Sequence, residues 1–539
     1  MKKFLICTSA IVLFTFVNYY FGLPPLNFSS PEFYSFILGI IVFSAIIINV
    51  VCFNFKNKVT ILNNKIVFNS NDLSKKVKMF NVSVFILIVF TVVIIIAMNF
   101  CLSPIFNSKS YSNRIEINDK DFENDFSEVD FDKLPLLDKD STSKLGDRTM
   151  GEMPEWVSQF TVSNLYTQIN FKDDILRVTP LEYDGIIKYF TNKKDGVEGY
   201  ITVDSVNGES NLVKIENGMK YLPSAYFNED LRRKLTFTYP TKILGNEKFE
   251  LDEDGNPYWV VPTFKYSGVG LKKEVSGAVI LDAVSGKSKF YKVKDIPSWV
   301  DQVYPSDLII EQVDNWGTYV KGFINSIFGQ KNVVNTTDGY NYLVIDNDVY
   351  LYTGITSVLA DESNLGFILV NLRTKEASYF KMPGAEEYSA MKSAEGLVQE
   401  KDYAATFPLL INLEGNATYL LSLKDSAGLV KMYAFVDARN YQIVSTTESS
   451  KGIKKAAEEY LSKIDNKKVN DEIEKEIVVK EILNATIEGN TIYYIIDTDG
   501  NKYSAKINVA KNILPFIKEN DEYNVTYNPG EVNNILTIK

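Results

Sequence analysis

Three uninterrupted apolar runs occupy the start of the chain, roughly Phe4–Leu23, Phe33–Phe53 and Phe80–Leu102. Each is near the roughly 20 residues an α-helix needs to cross a hydrocarbon core, and none contains a charged residue. The spacing predicts three transmembrane helices in residues 1–102. A cleaved signal peptide is the competing reading of the first run, because Lys2 and Lys3 precede it. Its length favours a retained span, as does the Gly22-Leu23-Pro24-Pro25 that follows in place of a small-x-small cleavage site.

Lysine asymmetry sets the expected orientation. The segment between the second and third runs carries Lys56, Lys58, Lys65, Lys75, Lys76 and Lys78 against Asp72, whereas Pro24–Glu32 has no basic residue. The positive-inside rule then puts the N-terminus in the cytoplasm and everything after Leu102 outside a bacterial cell membrane. Residues 1–102 hold eight lysines and two acids, so the whole-chain net charge of −11 leaves −17 on residues 103–539. Such acidity argues against nucleic acid as a partner.

The chain has no histidine, and Cys7, Cys52 and Cys101 all lie in or beside the apolar runs. That excludes histidine-based nucleophilic catalysis, histidine-ligated metals, and any disulfide framework or zinc ribbon in the large C-terminal region. No catalytic, cofactor-binding or metal-binding residue is assigned from sequence, and no cofactor is expected.

Residues 103–150 read as an acidic linker. Asp119, Asp121, Glu123, Asp125, Glu128, Asp130 and Asp132 are interleaved with Phe122, Phe126 and Phe131. Self-repulsion would extend such a segment into a spacer; a calcium-binding loop and a linear docking motif are the alternatives. A β-rich region is expected over 151–223. Beyond it, three segments share one layout: an acidic-Asn turn, an apolar strand, and a second strand closed by Asp or Asn. They are Asp254-Gly255-Asn256 to Asp282, Asp346-Asn347 to Asn371, and Glu414-Gly415-Asn416 to Asp437, anchored at Tyr258, Tyr350 and Tyr419. Each reads as a β-meander, giving units over 224–330, 331–383 and 384–465. Candidate helices fall in 297–328, 384–399 and 456–464, with Pro305 expected to break the first.

Residues 466–539 predict a small closed barrel of five strands with a helix around 510–518, resembling an OB-fold. The expected class is therefore α+β: three transmembrane helices, a β-rich region of repeats with helices between them, and a terminal barrel.

The helix-then-meander layout, with Leu281-Asp282-Ala283-Val284-Ser285-Gly286 closing the central strand, resembles the PepSY domain family and its "DA-x-T-G" turn. The likeness is strongest over 224–294 and recurs over 384–447, where Asp437-Ala438-Arg439-Asn440 lacks the glycine; Asn371-Leu372-Arg373 departs further. The overall layout is also similar to poorly characterised bacterial membrane proteins, some filed under the colicin V production name. The PepSY resemblance implies a non-enzymatic envelope protein that binds or regulates a protein partner such as a peptidase or cell-wall enzyme. A carboxylate-dependent hydrolase of wall polysaccharide and a transmembrane sensor are the alternatives.

Five groups of residues carry candidate chemistry. Ser141-Thr142-Ser143-Lys144 matches Ser-x-x-Lys but lacks the companion Lys-Thr-Gly, and reads as polar linker. Asp252–Asn256 and Asp497–Asn501 have the composition of calcium loops, but their glycine is fourth, so hairpin turns are expected. Glu311 with Asp314, and Glu386 and Glu387 with neighbours on the next helical turn, are the carboxylates a glycosidase-like mechanism would call on.

Overall fold

The computed structural model describes residues 2–52, 59–62, 65–68, 75–358, 363–468, 473–487, 490–528 and 532–539. Much of the lysine-bearing segment, including Lys56, Lys58 and Asp72, lies outside the described residues. Three helices, Lys2–Gly22, Pro31–Cys52 and Lys75–Leu102, are long and apolar enough to cross a membrane. The second and third are clasped by reciprocal amide bonds, Asn49 Nδ2 to Asn81 Oδ1 (3.0 Å) and Asn81 Nδ2 to Asn49 Oδ1 (2.9 Å). In an apolar medium such pairing satisfies groups that water cannot reach.

After the spans come four five-stranded antiparallel meanders among the described residues, one more than the sequence suggests. Unit 1 comprises strands Phe160–Val162, Thr167–Phe171, Asp174–Tyr183, Val197–Asp204 and Ser210–Met219. Unit 2 runs through Ile243–Leu244, Lys248–Leu251, Pro257–Lys265, Glu274–Asp282 and Ser288–Tyr291. Unit 3 has Val334–Thr336, Asn341–Ile345, Asp348–Ser357, Ser363–Asn371 and Ala377–Phe380. Unit 4 has Ala404–Ala405, Leu409–Leu413, Asn416–Lys424, Val430–Asp437 and Val444–Glu448. In every unit the third strand pairs with the first, second and fourth.

Local chemistry explains the repetition. The turn between second and third strands has positive φ at both central residues in units 1, 3 and 4: Lys172 and Asp173, Asp346 and Asn347, Glu414 and Gly415. That is the type I′ geometry matched to strand twist. The fourth strand ends at Asp204, Asp282, Asn371 or Asp437, whose Oδ1 accepts the amides two and three residues on. The next residue, Ser205, Ala283, Leu372 or Ala438, donates its amide to Ile175, Pro257, Val349 or Ala417. Its carbonyl receives the segment entering the same unit, through Leu136, Lys220, Val303 or Ala385.

Register also corrects the choice of anchor. Tyr258 lies opposite Asp282 and Tyr350 opposite Asn371, but Thr418, not Tyr419, lies opposite Asp437, and Leu176 opposite Asp204. The repeated feature is the Asx-ended strand; the tyrosine is not part of it.

The units stack in chain order, and this is why their central strands are apolar on both faces. Trp259, Val261, Val279 and Leu281 enter a core shared with unit 1, while Val260, Ala278 and Ile280 enter one shared with unit 3. Tyr352, Phe367 and Leu369 of unit 3 pack with Leu410, Tyr419 and Leu421 of unit 4. Helices Leu231–Thr238, Ser306–Thr318 and Glu387–Leu397 contribute to these successive cores. The expected helix over 297–328 is shortened because Pro305 becomes the N-cap of Ser306–Thr318. Of the face expected on 384–399, Ala390 and Ala394 are buried but Leu397 is exposed. The helix expected over 456–464 is present as Ile453–Lys468.

The acidic linker is not a solvated spacer. Pro104–Ser112 is helical, Ile117–Lys120 adds a parallel strand to the sheet of unit 3, and Lys139–Gly151 is a helix packed on unit 1. Between them Phe122 is only 4% exposed and stacks on Phe126, and both rings pack edge-on against Phe367. Phe131 packs against Phe435. The carboxylates face outward or cap turns, as Asp121 does for Glu123 and Asn124. Burial of three aromatic rings outweighs the repulsion of screened surface charges. This strap, residues 103–150, then joins unit 4 to unit 1: Ser422 Oγ donates to Leu136 O (2.8 Å) and Lys424 pairs with Asp138 (2.5 Å).

The C-terminal strands close into a five-stranded barrel, Ile473–Ile487, Asn490–Asp497, Lys502–Lys506, Asn533–Ile538 and Glu522–Asn528 in spatial order. In place of the helix expected around 510–518 there are two 3₁₀ turns, Ile507–Val509 and Leu514–Phe516; Pro515 in the second lacks the amide an α-helix would use.

Candidate functional site

The residues singled out by sequence are dispersed and structurally engaged. Ser141 lies on the packed helix Lys139–Gly151, not in a linker, and donates its hydroxyl to Gly428 O (3.0 Å). Lys144 pairs with Asp140. Asp252 Oδ1 accepts the amides of Asp254 and Asn256, and Asp497 accepts both the amide and Nδ2 of Asn501, so each loop's first carboxylate organises its own hairpin. Glu311 accepts Arg114 Nη1 (2.5 Å), and Asp314 accepts the amide and hydroxyl of Thr336. Glu386 is the N-cap of its helix, while Glu387 is fully buried and accepts Tyr352 Oη and Asn364 Nδ2, each at 3.0 Å. Neither pair stands free to serve as acid and base.

A carboxylate pair that sequence reading missed lies where units 1, 2 and 3 meet. Glu250, on the second strand of unit 2, is fully buried, and Asp301, in the segment entering unit 3, is 2% exposed. Glu250 accepts the amides of Asp301 (2.8 Å) and Gln302 (3.2 Å); Asp301 accepts the amide of Asn170 (2.9 Å). Gln302 Nε2 reaches Gln168 O at 2.9 Å. Burial, opposed by the two amides and by Lys248, pushes the Glu250 carboxyl up to about 7. Burial and the charge of Glu250 push Asp301 well up too. Two like charges in one dry site cannot both persist, so the pair retains a proton at neutral pH. Nearby, Arg177 and Gln168 are cross-strand partners, both buried, and Arg177 Nε and the Gln168 amide have no hydrogen-bond partner among the described residues. The only signal in the sequence was an acid at a core-facing position of a strand, Phe249-Glu250-Leu251.

A cleft of about 670 Å³ opens between the strap and units 3 and 4. Its walls include Leu343–Asn347, Leu410–Asn412 and strap residues 125–130. Both strand walls are sheet edges. Among the described residues Asn341–Ile345 pairs only with Asp348–Ser357. Leu409–Leu413 pairs with Asn416–Lys424 and otherwise takes the single Glu128–Asn412 bridge and the Val129 amide. Asp125, Glu128, Asp130, Asp173, Asp346 and Glu376 line the cleft against Lys120 and Lys133. It therefore offers unpaired backbone groups inside a negative field.

No protein-family model matches the chain, and no curated relative matches it. Among solved structures it has a likeness to the crystal structure of an ACO/RPE65 chimera, at 9% identity and a TM-score of 0.13. The match covers 54% of this chain, which spans about half of that one (49%). A TM-score so low carries no inference about fold or activity.

Proposed function

We propose that this chain is a non-enzymatic, membrane-anchored envelope protein that binds a protein partner through its extracytoplasmic units. The open-edged acidic cleft carries the reading. An extended segment of a partner, basic in character, would add a strand to Asn341–Ile345, with main-chain bonds giving affinity and the carboxylates selecting lysine or arginine. The structural engagement of Glu311, Asp314 and Glu387 supports a binding role over hydrolysis. The resemblance of the helix-then-meander segments to PepSY modules supports a regulator of a peptidase or wall enzyme. The OB-like barrel serves as a further interaction module.

A photo-crosslinking residue at Asn347 in the full chain, in native membranes, tests the proposal. The expected product is a covalent adduct to one envelope protein, lost on D125K/E128K/D346K substitution. Adducts unaffected by charge reversal would overturn the cleft assignment. Turnover of peptidoglycan or glycan by the purified chain, abolished by a single Glu→Gln change, would overturn the non-enzymatic role. A membrane-impermeant maleimide on intact cells, directed to S127C in a chain otherwise free of cysteine, tests the orientation.

A further inference from the structure

Two exposed apolar patches flank the helical spans, and each is tied to the end of one. The first span ends at Gly22, and Arg233 donates Nε to Tyr20 O (3.3 Å) with its guanidinium 4.3 Å from the Tyr20 ring. The same side chain donates Nη1 to Phe227 O at 2.8 Å. Phe227 holds a left-handed backbone (φ 56°), costly for a bulky residue, while its ring is 51% exposed. The ring meets Phe190 at 6.0 Å, beside Ile186 and Ile187 on helix Gly185–Asn192, all three exposed. Tyr19 and Tyr20 also pack against Phe237, adding ring contacts to the polar tie between the first span and the globular region.

The second patch lies beside the third span. That span ends at Leu102 and runs into helix Pro104–Ser112, whose Ile105 and Phe106 are exposed. Ser112 Oγ donates to Trp316 O, Tyr111 meets Tyr319 at 6.2 Å, and Tyr319 stacks on Phe323. The segment after Tyr319 then projects Val320, Ile324, Ile327 and Phe328, the last 84% exposed. Lys321 and Lys331 flank it, as Lys188 and Lys193 flank the first patch. Lys193 already lies 5.3 Å from the Phe190 ring centroid.

Both patches sit on the side that carries the loop between the first two spans. There Gly270 donates to Ser29 O, Leu26 donates to Pro240 O, and Asn99 exchanges two hydrogen bonds with Val269. The globular region is thus held against the span ends. Large apolar side chains, strongly exposed beside that junction and rimmed by tyrosine and lysine, have the composition of an interfacial membrane contact.

We infer that Ile186, Ile187, Phe190 and Phe227, together with Ile324, Ile327 and Phe328, are seated in the bilayer interface. The occupant is lipid. Continuity with the spans fixes their depth, and the lysines reach the headgroup phosphates. The globular region then lies against the membrane on two apolar feet, instead of swinging on a tether.

Single cysteines I187C, I324C and, as reference, S426C are placed in the full chain with Cys7, Cys52 and Cys101 changed to serine. Each is labelled with an environment-sensitive dye and reconstituted in phosphatidylcholine–phosphatidylglycerol vesicles. The expected result is blue-shifted emission at 187 and 324, with loss of intensity when the lipids carry acyl-chain doxyl groups, and neither change at 426. Aqueous emission and no doxyl quenching at 187 and 324 would overturn the assignment. Shielding in native membranes but not in these vesicles would overturn it in favour of a protein partner. Hydroxyl-radical footprinting of the unmodified chain gives an independent readout: in vesicles Phe190, Phe227 and Phe328 should be shielded despite their exposure in the protein, and oxidation at free-surface levels refutes the contact.

Discussion

Replacing Glu250 by glutamine should change how stability depends on pH more than it changes stability at any one pH. The folded chain keeps a proton on Glu250 up to about pH 7, whereas the unfolded side chain releases it near its ordinary 4.5. A carboxyl with a raised folded pKa favours the native state below the unfolded pKa and loses that contribution as pH rises through the folded one. At about 1.4 kcal/mol per pH unit, the loss across this interval is about 3 kcal/mol. A glutamine amide has no such proton to lose. It also relieves Asp301, whose own raised pKa acts in the same direction. Denaturant unfolding of the full chain in detergent would be followed by fluorescence of Trp259, fully buried and packed on Phe249. Between pH 5 and pH 8 the stability of E250Q relative to wild type should rise by about 3 kcal/mol. A constant difference across that range would show that Glu250 ionises as an ordinary surface carboxylate and that the pair holds no extra proton.

Three further expectations follow from packing and pairing. Phe122→Ala should cost about 3–5 kcal/mol in the same unfolding assay, because the ring is packed against Phe367; a solvated spacer would show a change of under about 0.5 kcal/mol. Arg114, with a side chain only 1% exposed, bridges Glu274 (2.7 Å) and Glu311. Arg114→Ala should cost about 3–5 kcal/mol, whereas Glu311→Gln, at a carboxylate 52% exposed, should cost under about 1 kcal/mol; equal costs would refute the asymmetry. A double-mutant cycle on Asn49 and Asn81, each changed to alanine, should give a coupling of about 0.6 kcal/mol between the two spans, and a coupling near zero would remove the amide clasp.

Sequence alone determined the features whose causes are local. Three charge-free runs specify helices long and apolar enough to cross a membrane, because an apolar segment there must satisfy its backbone within itself. Asp346-Asn347 and the Gly415 of Glu414-Gly415 specify tight hairpins because Asp, Asn and Gly tolerate positive φ, and Asp282, Asn371 and Asp437 end strands because a short carboxylate or amide reaches the amides two and three ahead. Unit 1 is hidden at the level of sequence because Leu176 holds the position of Tyr258, Tyr350 and Thr418, and Ser205 that of Ala283, Leu372 and Ala438, and only register reveals their equivalence. Tertiary structure alone decided the fate of the acidic strap, since charge content says nothing about whether Phe122 and Phe126 will find Phe367 across the fold. It likewise decided that Glu250, one acid among 68 Asp and Glu residues, would meet Asp301 in a dry junction. A hairpin turn is encoded in the few residues that form it; a buried charge is defined by partners that come together only when distant segments pack.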